Sequence, residues 1–175
     1  HTPRVTQTDG TVNHYFGTLV DISARRRNAD IWRQDRERLA LALDGAGLGT
    51  WDWNIVSGEV IFDRRWAQML GYRPEDITPH VSSWENLVHP DDQAHVMAQL
   101  QEHLDGSSEL YRTEHRLRTK AGDWLWVLDC GRVIGRDPQG APLRMSGIHQ
   151  NINERKAQED ALRRNEANLR TFFDT

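Results

Sequence analysis

The sequence predicts an α+β domain: a five-stranded antiparallel sheet with short helices on one face, flanked by an N-terminal and a C-terminal linker helix. Three observations carry that expectation. Between residues 47 and 150 the apolar period changes from two to helical spacing and back again. The resulting order is two strands, several short helices, one longer helix and three strands, which segregates helix from sheet. Finally, one stretch recurs at an offset of 130 residues: Gly10 to Arg26 reads GTVNHYFGTLVDISARR, and Gly140 to Lys156 reads GAPLRMSGIHQNINERK. Gly17 falls on Gly147, Ile22 on Ile152 and Arg25 on Arg155, and the register holds to Asp44 and Asp174. A fixed period marks an array of like units. The expected layout is the end of one module (1–23), a linker helix (24–46), a whole module (47–152) and a second linker helix (153–175). The chain begins at His1 and stops inside a repeat, which reads as a piece of a longer protein.

Each element has a local reason. Residues 24–46 hold no Pro and no Gly before Gly45, with apolar Ile31, Leu39, Ala42 and Ala46 among charges. This is a helix that is either a solvated connector or one strand of a parallel coiled coil. The second copy, with Leu162, Leu169 and Phe173 at spacings of seven and four, favours the coiled coil. Trp51, Trp53 and Ile55 alternate with Asp52 and Asn54, then turn at Ser57-Gly58 into Val60-Ile61-Phe62: a hairpin. Trp66, Met69 and Leu70 take helical spacing, closed by Gly71. Pro74-Glu75-Asp76 opens another turn, and Trp84, Leu87 and Val88 form a third short piece. His89-Pro90-Asp91-Asp92 starts the longest helix, with Pro and two acids in its first turn, and Gly106 stops it. Leu110 to Arg118 alternates with Tyr111, Thr113, His115 and Leu117 on one side. Trp124 to Ile134 and Leu143 to Gln150 follow, separated by Asp137-Pro138-Gln139-Gly140, a type I turn. Of the seven Trp residues, Trp51, Trp53, Trp84, Trp124 and Trp126 are expected to serve one core, and Trp66 the surface.

Composition bounds the function. A chain of 175 residues with 27% charged residues and a formal charge of -4 offers no basic field for nucleic acid. No apolar run reaches membrane-span length. The lone cysteine, Cys130, excludes an internal disulfide and fits a reducing, cytoplasmic compartment. No nucleophile–base pair, phosphate loop or paired-carboxylate site appears in the pattern, so this stretch is not read as an enzyme.

The order of motifs resembles the PAS domain followed by its PAC segment, in the variety common in bacterial signalling proteins. The matching residues are Gly49-Thr50-Trp51-Asp52-Trp53, Gly71-Tyr72-Arg73-Pro74-Glu75, Trp84 with Val88-His89-Pro90-Asp91-Asp92, and Glu114-His115-Arg116-Leu117-Arg118. Gly122-Asp123-Trp124-Leu125-Trp126-Val127, Gly147 and Ile152-Asn153-Glu154-Arg155-Lys156 complete the set. The resemblance covers residues 47–156, and residues 10–26 match the end of a second copy. It implies a sensory module that passes a signal into a helical linker. The likeness further implies a homodimer through the linker helices, neighbouring PAS units, and an effector that is a histidine kinase or a cyclic-di-GMP enzyme. The rival reading is a ligand-free dimerisation spacer in a PAS array.

Two departures from the family pattern stand out. Asn151 occupies a position usually held by Asp, which the upstream copy keeps as Asp21; Asn still caps a helix, and Glu154 keeps capping-box spacing. His115 replaces a common aromatic. The expected small-molecule pocket comprises Trp51, Trp53, Phe62, His115, Leu117, Trp126, Leu128 and His149, and the signal exit Asn151, Ile152, Asn153, Glu154 and Arg155. For His115 the default is a core histidine with a backbone or Tyr partner, and ligand contact is the alternative. His89 is read as a helix-start residue, and Glu114 with Arg116 as a structural ion pair or cross-strand pair. The ligand, if any, is unknown. Haem and flavin are open but not favoured, and no metal site is expected. Some relatives hold haem through a His on the long helix, which draws His95 and His103 into view, but a solvated helix face is the simpler reading. Cys130 sits in a strand and lacks the helical Asn-Cys-Arg-Phe motif of flavin photosensors.

Overall fold

Turn and cap residues set the boundaries of nearly every element. The computed structural model describes residues 23–173, with side chains from Asp30 to Ala167; the predicted upstream tail and Asp21 lie outside the described residues, as do the side chains of Leu169 and Phe173. The chain falls into two units, residues 1–40 and 41–175. Helix α1 spans Ser23–Gly45 and exposes Ile31, Trp32, Leu39 and Leu41. Strands β1 (Leu48–Asn54) and β2 (Val60–Phe62) make the hairpin. Helix α2 (Arg64–Met69) starts at Asp63, whose carboxylate accepts from Trp66 N at 2.7 Å. It ends where Gly71 turns to φ +79°. A single 3₁₀ turn (Pro74–Asp76) and α3 (Val81–Glu85) follow. Helix α4 (Pro90–Leu104) is capped by His89, whose Nδ1 accepts from Asp91 N, with Pro90 first and Asp91 and Asp92 in the opening turn. Strands β3 (Tyr111–Arg118), β4 (Trp124–Arg136) and β5 (Pro142–Asn151) lead into α5 (Asn153–Phe173).

The five strands pair antiparallel in the order β2-β1-β5-β4-β3, so the last strand lies at the centre against the first. Side chains alternate across the sheet. One face carries Trp51, Val60, Tyr111, Thr113, His115, Leu117, Leu125, Val127, Asp129, Met145 and His149, all buried with Trp66, Leu70, Trp84, Val96 and Leu100 from the helices. Gly131 and Gly147 form the floor beneath Trp51. A Cβ at either would collide with the Trp51 ring, and at Gly147 also with the Cys130 carbonyl. The flat indole needs a surface without side chains, and two facing glycines of β4 and β5 supply it.

The structure corrects three side-chain expectations. Trp66 is fully buried, stacked on Phe62 with ring centroids 4.0 Å apart, because its i, i+4 spacing with Leu70 puts both on the stripe facing β1. Trp124, Trp126 and Leu128 sit on the outer face of β4: Trp124 is 40% exposed, while Leu125, Val127 and Asp129 point inward. The strand is apolar on both sides at this point, so alternation alone did not fix its phase. His103 is not solvated but 2% exposed, its Nε2 accepting from Val133 N at 3.0 Å and its Nδ1 lying 2.8 Å from Ser108 O. His95 does lie exposed on α4. Among the described residues, no helix is long and apolar enough to cross a membrane.

Candidate functional site

The inner face of the sheet holds an unusual run of buried polar groups. On β3 the period of two places Tyr111, Thr113 and His115 in line. The next strand presents Asp129 and the next again His149, which pair directly across the ladder. Asp129 is 2% exposed and is the hub. Trp51 Nε1 donates to its Oδ1 at 3.0 Å, and the Tyr111 phenol lies close enough to feel its charge. His149 Nε2 lies 2.8 Å from Oδ2, off the axis of the ring N–H. Burial, and then the negative charge of Asp129, raise the Tyr111 phenol above its usual value, which keeps it a donor.

Hydrogen bonding fixes both histidine tautomers. Trp66 Nε1–H donates to His149 Nδ1 at 2.6 Å, so that nitrogen is bare and the ring proton sits on Nε2, toward Asp129. Thr113 Oγ1 donates to the Tyr111 hydroxyl at 3.0 Å and therefore accepts from His115 Nδ1–H at 3.1 Å. That leaves His115 Nε2 a bare lone pair, buried and without a partner. Burial pushes the His115 pKa down to about 4, so the ring is uncharged at neutral pH.

His115, Asp129 and His149 bring three ligand-type atoms within 4.8 Å of one another. A divalent ion would need the His149 Nε2 lone pair, but Trp66 already directs the ring proton there. The cluster is a hydrogen-bonded carboxylate in an aromatic setting, and sequence spacing alone, spread over three strands, did not group it.

A cavity of about 40 Å³ opens beside this cluster, lined by Trp51, Trp53, Val60, Phe62, Val81, Trp84, Leu100, Tyr111, Asp129, Met145 and His149. Four residues expected at a pocket therefore line it: Trp51, Trp53, Phe62 and His149. His115 and Leu117 are fully buried on the same face but stand behind that lining. Trp126 and Leu128 are turned away on the opposite face. Asp129, Tyr111 and Trp84 are among the seven lining residues that the pocket expectation omitted, with Val60, Val81, Leu100 and Met145. The indole nitrogens of Trp53 and Trp84 are buried without an acceptor.

At the exit from β5, Asn151 Oδ1 accepts from Asn153 N at 2.9 Å, so Asn caps here as Asp would. Asn153 Oδ1 in turn accepts from Trp126 N at 2.8 Å, and Ile152 N donates to Trp126 O at 2.9 Å. Glu114 reaches Arg155 and Lys156, each at 2.7 Å, and Lys156 Nζ stands 4.9 Å over the Trp126 ring. Arg116 lies 5.3 Å from the same ring and forks onto Asp92 of α4 at 2.7 and 2.9 Å. The Arg116 guanidinium holds the Asp92 carboxyl below the usual carboxylate range. Glu114 and Arg116 thus pair with α5 and α4, not with each other. Two cations, Arg116 and Lys156, thus lie close to the Trp126 ring on the outer face of the sheet. Cys130 is half-buried in β4, and burial raises its thiol pKa, away from reactivity.

Comparison with known proteins gives the same picture. The family described as PAS fold matches residues 59–149. The probable diguanylate cyclase DgcE of Escherichia coli is 26% identical over 98% of this chain and 15% of its own length. The two-component sensor PprA of Pseudomonas aeruginosa is 25% identical over 90% of this chain and 17% of its own. The chain therefore spans under a fifth of these curated relatives. A crystal structure of a sensory box histidine kinase/response regulator from Burkholderia thailandensis superposes with a TM-score of 0.68 at 34% identity, covering 77% of this chain and 98% of that one.

Proposed function

The chain belongs to the PAS fold family and is a sensory module of a signal-transduction protein, and from that premise we propose how the module works. Residues 47–152 are the sensor, and the cavity beside Asp129 and His149 receives a small molecule. The observation that carries this reading is continuity: His149 lines the cavity on β5, and two residues later the same strand caps α5 through Asn151. A shift of His149 or Asp129 moves β5 against β4, and Trp126, bonded to both Ile152 and Asn153, transmits it to the first turn of α5. Helices α1 and α5 act as linkers in a homodimer, where a change of helix register is a two-state element. The exposed Ile31, Trp32 and Leu39 of α1, and separately Leu162 of α5, are apolar positions such helix contacts would use. Adjacent PAS units and a histidine kinase or diguanylate cyclase effector, on the cytoplasmic side, complete the parent protein.

Native mass spectrometry of the purified chain, with an absorbance spectrum of the same sample, tests the sensor. A co-purifying small molecule or pigment supports it. A second reading, a ligand-free spacer, is favoured by the small size of the cavity, 40 Å³ among packed indoles. An apo dimer whose α5 amide exchange no small molecule alters would establish that spacer instead.

A further inference from the structure

The cavity is lined by one buried acid among aromatic rings. Asp129 is buried, and the only charge partner within 4 Å among the described residues is His149, whose Nδ1 is an acceptor and whose ring is therefore not a cation. His115 cannot neutralise it either, since burial keeps that ring uncharged at neutral pH. A buried carboxylate with neutral donors alone calls for a cation. The walls agree: Trp51, Trp53, Phe62, Trp84 and Tyr111 present aromatic rings, whose faces attract positive charge. Behind Asp129, the bare His115 Nε2 offers a second buried acceptor. The indole N–H groups of Trp53 and Trp84 are buried donors in the same lining, which ask for an acceptor atom elsewhere on the guest.

We propose that the cavity selects a small organic ammonium compound carrying a hydroxyl or carbonyl oxygen, with its nitrogen at Asp129 and its oxygen at the Trp84 and Trp53 indoles. This rests on the sensor reading above and adds the chemical class of the guest. An anion of the same size is rejected by the Asp129 carboxylate. A neutral isostere keeps the indole bonds but gives up the charge. The guest has only a few heavy atoms, so affinity for the bare fragment is millimolar.

The test uses three isosteric probes on the full chain: ethanolamine (cation), ethylene glycol (neutral) and glycolate (anion), at matched ionic strength. Two readouts run together, the indole N–H signals of Trp84 and Trp53 by NMR and the thermal midpoint. Ethanolamine is expected to shift both indoles and raise the midpoint in a saturable way, ethylene glycol to bind at least tenfold more weakly, and glycolate to do neither. Asp129→Asn should erase the preference for ethanolamine over ethylene glycol. Trp84→Phe, which keeps a ring but loses the N–H, should weaken ethanolamine severalfold while preserving the rank order. If glycolate or ethylene glycol moves the indoles as well as ethanolamine does, the charge assignment is wrong and the sensor reading stands. If no probe moves them, and native mass spectrometry finds the protein empty, the cavity is not a receptor and both readings fall.

Discussion

Replacing Lys156 by Met removes one positive charge from the exit of the module while keeping the aliphatic stem against Trp126. The structure sets the size of the effect. Lys156 loses its 2.7 Å pair with Glu114, in which both partners are about a quarter to a third exposed. Such a pair is worth roughly 0.2–1 kcal/mol after screening. Its cation–π contact at 4.9 Å adds about 0.5–1 kcal/mol. Together these make roughly 0.7–2 kcal/mol, all of it local to the start of α5, or roughly a 3- to 30-fold increase in the opening of that turn. Amide hydrogen exchange reads this directly. Protection should fall by that factor in the first turns of α5 and stay unchanged in β3, β4 and α4. The pair is also pH-dependent. Glu114 is held below the usual carboxylate range, chiefly by the Lys156 hydrogen bond against a desolvation penalty, with Arg155 assisting. A depressed folded-state pKa means stability that is present above the unfolded carboxylate value and lost as pH falls through the folded one. The wild-type anchor should therefore release in that acid window. Unchanged exchange in K156M, or an equal loss of protection across the whole sheet, would refute the view that α5 is fastened here.

Trp66→Phe strips the donor from His149 Nδ1 in a fully buried site, so urea unfolding should show a loss of at least about 1–3 kcal/mol; a loss under about 0.5 would sink the tautomer assignment. Gly131→Ala drives a methyl into the Trp51 ring and should cost about 1–3 kcal/mol while shifting the Trp51 indole signal, and an unmoved signal would mean the ring does not lie on that floor. Because burial lowers the His115 pKa from 6.5 to about 4, the unfolded chain binds the extra proton throughout that interval. Stability should therefore decline as pH falls from 6.5 to 4, by about 3 kcal/mol in all. The same titration on His115→Gln should be flatter by that amount, and identical slopes would place His115 in contact with water.

Element order and turns were legible because period and punctuation are local: Asp63, His89, Gly71 and Gly106 do in the fold what their types imply. Phase was harder. On β4 both faces are apolar near Trp126, yet Arg132 and Arg136 share its parity, and that pair marks the outward side. On α4, Val96, Leu100 and His103 follow i, i+4, i+7, a spacing that already puts His103 on the buried stripe. The Asp129 hub was not legible at all, because an aspartate in a strand ordinarily signals exposure and the groups gathered at it come from three other strands.

The placement of β5 has a consequence in time. Leu48 pairs with Gln150 and Val127 with Asn151, so the strand made last fills the slot between β1 and β4. Before residues 142–151 leave the ribosome, β1–β2 and β3–β4 are two separate hairpins, each with the edge destined for β5 open. Closing the sheet demands contacts across most of the domain's length, which slows folding relative to local hairpin formation. During that interval the open edges are templates for pairing with another chain. In a polypeptide built from repeated copies of this unit, each nascent module waits on its final strand while similar strands from its neighbours are being synthesised alongside, so the rate of translation through β5 becomes a determinant of how cleanly the array assembles.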